Sequence, residues 1–217
     1  MAPFDLDAWV ARSGALDLDA IPWADVPKYE VPPEAVRTLT YMQDIESHTI
    51  IYLRSLLATR AVDDPEVSTF LACWLHEETF HGIALSRFLE CAGHPLPPRA
   101  QPRGQEPVTK RLESWATSMV SRAWPDFCAV HMTWGAINEL TTLTGYLRLK
   151  TVARHPVLDE LLETIMRDES RHSRDTVAML KASRRRAIRG RDRSRRTGSY
   201  PASRRNRARA RPCIDSS

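Results

Sequence analysis

The sequence predicts an all-α fold, an antiparallel four-helix bundle with one long crossover between its second and third long helices. Three observations carry that expectation. Apolar residues recur at the helical period along four long stretches. Helix start and stop signals bracket those stretches. The marks of strands, sustained alternation and Asn-Gly or Asp-Gly hairpins, are absent.

Each element has its own justification. Residues 1–32 form an N-terminal extension, with a short helix expected around Phe4–Ala11 and too many prolines beyond it for a long one. From Pro33, the residues Val36, Leu39, Met42, Ile45, Thr49 and Leu53 follow a period near 3.6, which predicts a helix to about Thr59. Asp64 followed by Pro65 is an N-cap with proline at the first helical position. That second helix should run to Cys91 and stop at Ala92-Gly93, where glycine supplies the left-handed cap. Residues 94–107 are a proline-rich connection, and a shorter helix is expected over Val108–Ala123. Pro125 opens the third long helix, which ends before Pro156, and Pro156 opens the fourth. The bundle is thus assigned to residues 33–183. From 184 to 217 the apolar periodicity is lost, and the arginine-rich run is expected to be disordered.

Charge divides the chain in the same place. The formal net charge of +4 averages an acidic body with a basic end. Residues 181–217 hold fourteen Lys and Arg against Asp192 and Asp215, which leaves residues 1–180 at a net −8. Such a tail is a polyanion-binding element, a solvated end, or the product of a wrong reading frame that replaces further helices. The body offers nucleic acid no platform of aromatic and basic side chains. Four cysteines without metal-type pairing read as reduced thiols. The acidic N-terminus is unlike an export signal, and no apolar run reaches the roughly 20 residues of a membrane span, so a soluble cytoplasmic protein is expected.

The chemistry lies in a repeated motif. Residues 76–81 read HEETFH and residues 167–172 read RDESRH. Positions i and i+3 share a helix face, so Glu78 with His81, and Glu169 with His172, can each face one metal ion. Two metals between helices need further oxygen ligands, and Glu46 and Glu139 lie on otherwise apolar faces of the other two long helices. All four glutamates fall about 18–20 Å into their helices at 1.5 Å rise per residue, so they meet at one level. Four buried carboxylates would be costly unless two divalent cations matched their charge. A lone ExxH is an ordinary surface ion pair; the joint order E…ExxH…E…ExxH is the specific signal. Glu77 competes with Glu78 for the first site, since Glu77 and His81 are i, i+4; the match to the second motif favours Glu78.

On these residues the chain resembles the ferritin-like di-iron carboxylate superfamily, most closely its soluble acyl-carrier-protein desaturases. Their EENRH-like and DEKRH-like motifs are similar to EETFH and DESRH here. The resemblance covers roughly residues 34–182 and implies a ferritin-like bundle with metal ligands Glu46, Glu78, His81, Glu139, Glu169 and His172. It implies Asp168, and by position Glu77, as acids that orient the histidine ligands. Thr142, three residues after Glu139, sits where these enzymes have a threonine connected with oxygen activation. The implied cofactor is two iron ions, Fe2+/Fe3+, although carboxylate and imidazole ligands accept manganese as well. The implied activity is O2-dependent hydrogen abstraction from an acyl chain or similar apolar substrate. Its implied partners are an electron donor such as ferredoxin, acyl carrier protein, and a second copy of the chain. Bacterioferritins share the ligand order but place a haem-binding methionine where this chain has Thr79. A ferritin-like ferroxidase is the alternative function, and an inactive bundle with a basic binding tail is a third. Tyr146 and Trp74 are expected to be core aromatics, with Tyr146 near enough to edge a substrate cavity.

Overall fold

The computed structural model of the protein describes residues 4–57, 60–97 and 127–197. Every regular element among them is a helix. In chain order these are α1 (Leu6–Arg12), a 3-10 helix at Trp23–Lys28, α2 (Pro33–Leu57), a 3-10 turn at Arg60–Asp63, α3 (Pro65–Cys91), α4 (Phe127–Ala153) and α5 (Pro156–Thr197). None is long and apolar enough to cross a membrane. The expected helix over Val108–Ala123 and most of the crossover lie outside the described residues.

The helix ends follow from local chemistry. The Asp64 side chain accepts from the Glu66 and Val67 backbone N–H groups, satisfying two donors that the first turn of α3 leaves free. Gly93 ends α3 at φ 81°, a conformation costly for any side chain with a Cβ. Ahead of Pro156, the His155 ring acts as a cap: its Nδ1 accepts from the Leu158 N–H at 3.2 Å, while Nε2 donates to the Val26 carbonyl at 3.1 Å. One buried ring thus starts α5 and ties the 3-10 helix to it.

Two apolar clusters fill the interior. The first joins Leu39 and Met42 of α2, Leu85 and Phe88 of α3, Tyr146 and Leu149 of α4, and Leu158 to Ile165 of α5. The second joins Leu53 and Leu56, Val67 to Trp74, Met132 and Met179, together with Trp9 from α1. In sequence, α2 and α5 therefore pass from the first cluster to the second, and α3 and α4 pass the other way. Each fully buried side chain of this size contributes about 1.5–3 kcal/mol. α3 lies close against α2 at Gly82, where a Cβ would stand 2.6 Å from Ser47 Oγ and 3.3 Å from Ser47 N. Gly82→Ala should therefore push α2 away beside Glu46, costing about 1–3 kcal/mol. A thermal melt with a metal titration would register both losses; an unchanged melt would mean that the helices are not held this close.

The chain forms two compact units, Met1–Arg184 and Arg185–Ser217. The N-terminal extension belongs to the first, through α1 packed on α3. One expectation needs correcting. Residues 184–197 were expected to be disordered, but they are helical, as the end of α5. Arginine and alanine are strong helix formers, and a helix already nucleated propagates without an apolar stripe. Residues 198–217 lie outside the described part.

Candidate metal centre

Glu46, Glu78, Glu139 and Glu169 each lie twelve or thirteen residues beyond the first residue of their helix. They form a polar layer between the two apolar clusters. Glu46, Glu78, His81, Glu139, Glu169 and His172 are all buried, none more than 6% exposed. The six sort into two overlapping quartets whose ligand atoms lie within 4.8 Å of one another: Glu46, Glu78, His81 and Glu169, and Glu78, Glu139, Glu169 and His172. Glu78 and Glu169, the glutamates of the two ExxH pairs, belong to both quartets. Each quartet adds one glutamate and one histidine of its own.

The donor atoms are unsatisfied, and that tests the fit to cations. Glu78 Oε1, both Glu169 oxygens, His81 Nδ1 and His172 Nδ1 are buried without a hydrogen-bond partner. His172 Nδ1 is only 2.9 Å from Glu78 Oε1, and His81 Nδ1 3.1 Å from Glu169 Oε1. These approaches are short but not aligned as hydrogen bonds. Five orphaned donor atoms in one dry layer are rare unless an ion or water completes them. Their chemistry, carboxylate oxygen and imidazole nitrogen, suits a pair of first-row divalent ions.

Protonation points the same way. Burial, then the Glu78 charge, pushes the Glu46 carboxyl well above its ordinary range. Burial and the charges of Glu78, Glu139 and Glu46 do so for Glu169. For His172, burial disfavours the charged ring, but the adjacent Glu139, Glu77 and Glu78 carboxylates outweigh it and raise the value well above normal. The metal-free centre thus offsets its negative charge by keeping protons, which binding cations must displace.

A second ring of contacts fixes the histidines. His172 Nε2 donates to Glu77 Oε2 at 2.7 Å and His81 Nε2 to Asp168 Oδ2 at 3.3 Å. Each ExxH histidine is therefore oriented by the acid preceding the other motif's glutamate, with Nδ1 left for the centre. Glu77, the possible competitor for a ligand position, has this role instead and lies in neither quartet. Arg171 joins the two acids, donating from Nη2 to Glu77 Oε1 at 2.7 Å and to Asp168 Oδ1 at 2.8 Å. Burial opposes ionisation of Asp168, but the His81 and Arg171 bonds prevail and lower it to about 2. Glu77 is also lowered: the His172 and Arg171 bonds outweigh its burial. Trp9 closes this side, with the Arg171 guanidinium 4.9 Å from its ring centre and the His172 ring 5.9 Å away. The Gly14 N–H donates to Glu77 Oε1 at 3.3 Å.

Two aromatics expected as core residues also hold ligands. The Tyr146 hydroxyl donates to Glu46 Oε1 at 2.5 Å, and the Trp74 indole N–H to Glu139 Oε1 at 3.0 Å. Burial and the Glu46 charge raise the Tyr146 hydroxyl well above its ordinary value, so it stays a donor. Tyr146→Phe should cost about 1–2 kcal/mol, because the Glu46 oxygen loses its partner in a dry site. It should weaken one metal position by about tenfold and spare the other. A two-step metal titration in which both steps move equally would contradict that pairing.

Thr142 is half-buried, one turn beyond Glu139. Unlike Thr141 and Thr144, its hydroxyl makes no bond to the carbonyl four residues back. Arg171, Tyr146, Trp74 and Trp9 are the functional contacts that spacing alone did not single out. His48, His76 and His131 lie in neither quartet. No protein-family model, curated protein or solved structure matches the chain.

Proposed function

We propose that the chain is a ferritin-like di-iron protein acting as an O2-dependent oxidoreductase on an apolar substrate such as an acyl chain. The observation that carries this reading is the pair of buried quartets sharing Glu78 and Glu169. Glu46 and His81 would complete one position, Glu139 and His172 the other. Two bound iron ions would supply the redox couple for dioxygen chemistry that a protein side chain lacks. Manganese suits the same donors.

The chain's own groups have distinct tasks. Arg171, Glu77 and Asp168 set the histidine rings and keep the proton on Nε2. Tyr146 and Trp74 fix the orientation of Glu46 and Glu139. The apolar clusters on either side of the layer exclude water from it. Thr142 is assigned to proton delivery at the centre, through its hydroxyl. In the overall reaction, two electrons come from substrate C–H bonds and two from an external donor such as ferredoxin. With four protons they reduce dioxygen to two waters, leaving a double bond. Acyl carrier protein as substrate carrier, a homodimeric assembly and a cytoplasmic location complete the proposal.

The test is steady-state oxygen uptake by the iron-loaded protein with a reduced ferredoxin and an acyl substrate. The expected result is one product, two hydrogens lighter, per dioxygen consumed. Uptake that follows added ferrous iron alone, with no organic product, would instead establish a ferroxidase.

A further inference from the structure

The end of α5 is a different kind of helix from its beginning. From Arg185 the chain belongs to its second compact unit. Residues 185–196 place seven arginines in twelve positions, with Asp192 the one acid and neither lysine nor an aromatic among them. The backbone nevertheless stays helical as far as Thr197. Arginine is a good helix former, but like charges four positions apart, as at Arg185, Arg189 and Arg193, oppose the helix. A surface of opposite charge would relieve that repulsion.

The composition selects the surface. Only Ala187 and Ile188 are apolar between 185 and 197, so the stretch has no apolar face to lie in a lipid interface. It has no ring on which the bases of a single strand could stack. Arginine throughout favours carboxylate or phosphate, which the planar guanidinium grips with two hydrogen bonds. Charge density decides between them. Seven arginines over twelve helical residues place one cation per about 2.6 Å of axis, against one phosphate charge per about 1.7 Å of duplex DNA. A helix about 10–12 Å across fits the major groove of DNA, about 12 Å wide; that of duplex RNA is too deep and narrow. The body adds nothing to such a contact, because residues 1–180 carry a net −8 and repel a polyanion.

We infer that Arg185–Thr197 is a DNA-binding arm, a helix that lies along the major groove of a duplex and is held by its phosphates. This role is independent of the metal centre and of the reaction proposed for it.

The test is fluorescence anisotropy of a labelled DNA duplex of mixed sequence, titrated with the full chain at rising salt. With about five phosphates neutralised, affinity should fall about 100-fold as salt is tripled. Two variants of equal charge locate the element. Replacing Arg189, Arg191, Arg193, Arg195 and Arg196 by glutamine, itself a good helix former, should weaken binding at low salt by about 100-fold. The same replacement at Arg204, Arg205, Arg207, Arg209 and Arg211 removes as much charge beyond the helix and should cost less than about tenfold. Both variants should melt as the natural chain does, since neither touches the bundle. Equal losses for the two sets would overturn the inference, because net charge alone would then account for the binding. So would an affinity indifferent to salt, equal affinity for a single strand of the same length, or tighter binding to phosphatidylserine vesicles than to the duplex.

Discussion

Glu169→Ala is expected to empty both metal positions at once, and Glu78→Ala to do the same, because each carboxylate belongs to both quartets. Glu46→Ala or Glu139→Ala should weaken one position only. The effect on stability is large for the loaded protein. A ligand present at a thousandfold its dissociation constant stabilises the folded state by about 4 kcal/mol, and a chain that cannot bind loses all of it. The metal-free protein should hardly notice Glu169→Gln. Burial and three neighbouring carboxylates already favour a neutral, protonated Glu169, which the amide imitates. Melting curves with and without metal should therefore coincide for this variant and separate widely for the natural chain. Two metals per chain retained after either alanine change would refute the assignment.

Arg171→Leu should do the reverse, destabilising the protein whether or not metal is present. Its side chain is 12% exposed and is the cation shared by Glu77, 1% exposed, and Asp168. Burial lowers the guanidinium's affinity for its proton, but the Glu77 and Asp168 bonds more than restore it. Without it, two acids held ionised in a largely dry setting lose a partner, a change that costs about 3 kcal/mol or more. Because those acids orient both histidines, metal affinity should also fall by about 10–100-fold. Arg171→Lys keeps the charge but loses the planar guanidinium that lies over Trp9 and aims one nitrogen at both acids, so it should recover stability better than affinity. The check is chemical denaturation of the metal-free variants beside a metal titration. A leucine variant as stable as the natural chain would mean that the bridge carries no weight.

The contrast between these two residues shows what a sequence discloses. Glu78, His81, Glu169 and His172 were legible because helix geometry converts a spacing of three into a shared face. Pro33, Asp64-Pro65, Pro125 and Pro156 set where the count along each helix begins, which brought Glu46 and Glu139 to the level of Glu78 and Glu169. Arg171 lay inside the same motif and remained a spacer, since its role depends on Glu77, ninety-four positions away in the chain. The first motif has Phe80 at the equivalent position, so symmetry gave no hint of it. Tyr146 and Trp74 read correctly as buried aromatics. Their polar ends were not legible, because only the packed structure decides which carboxylate each one meets. Trp9 was hidden for a related reason: α1 is too short to announce a packing face, yet it covers Arg171 and His172. The helical stretch after Ser183 went unread because apolar periodicity detects packing, and a helix can continue without any.

The central claim is that six side chains from four helices form one centre for two cations. Its most direct measurement is an anaerobic titration of the metal-free chain with ferrous iron, read as metal retained per chain after gel filtration. Retention should level off at two equivalents for the natural chain and fall to none for Glu78→Ala. Retention of one or fewer by the natural chain, or an unchanged two by the variant, would contradict the account.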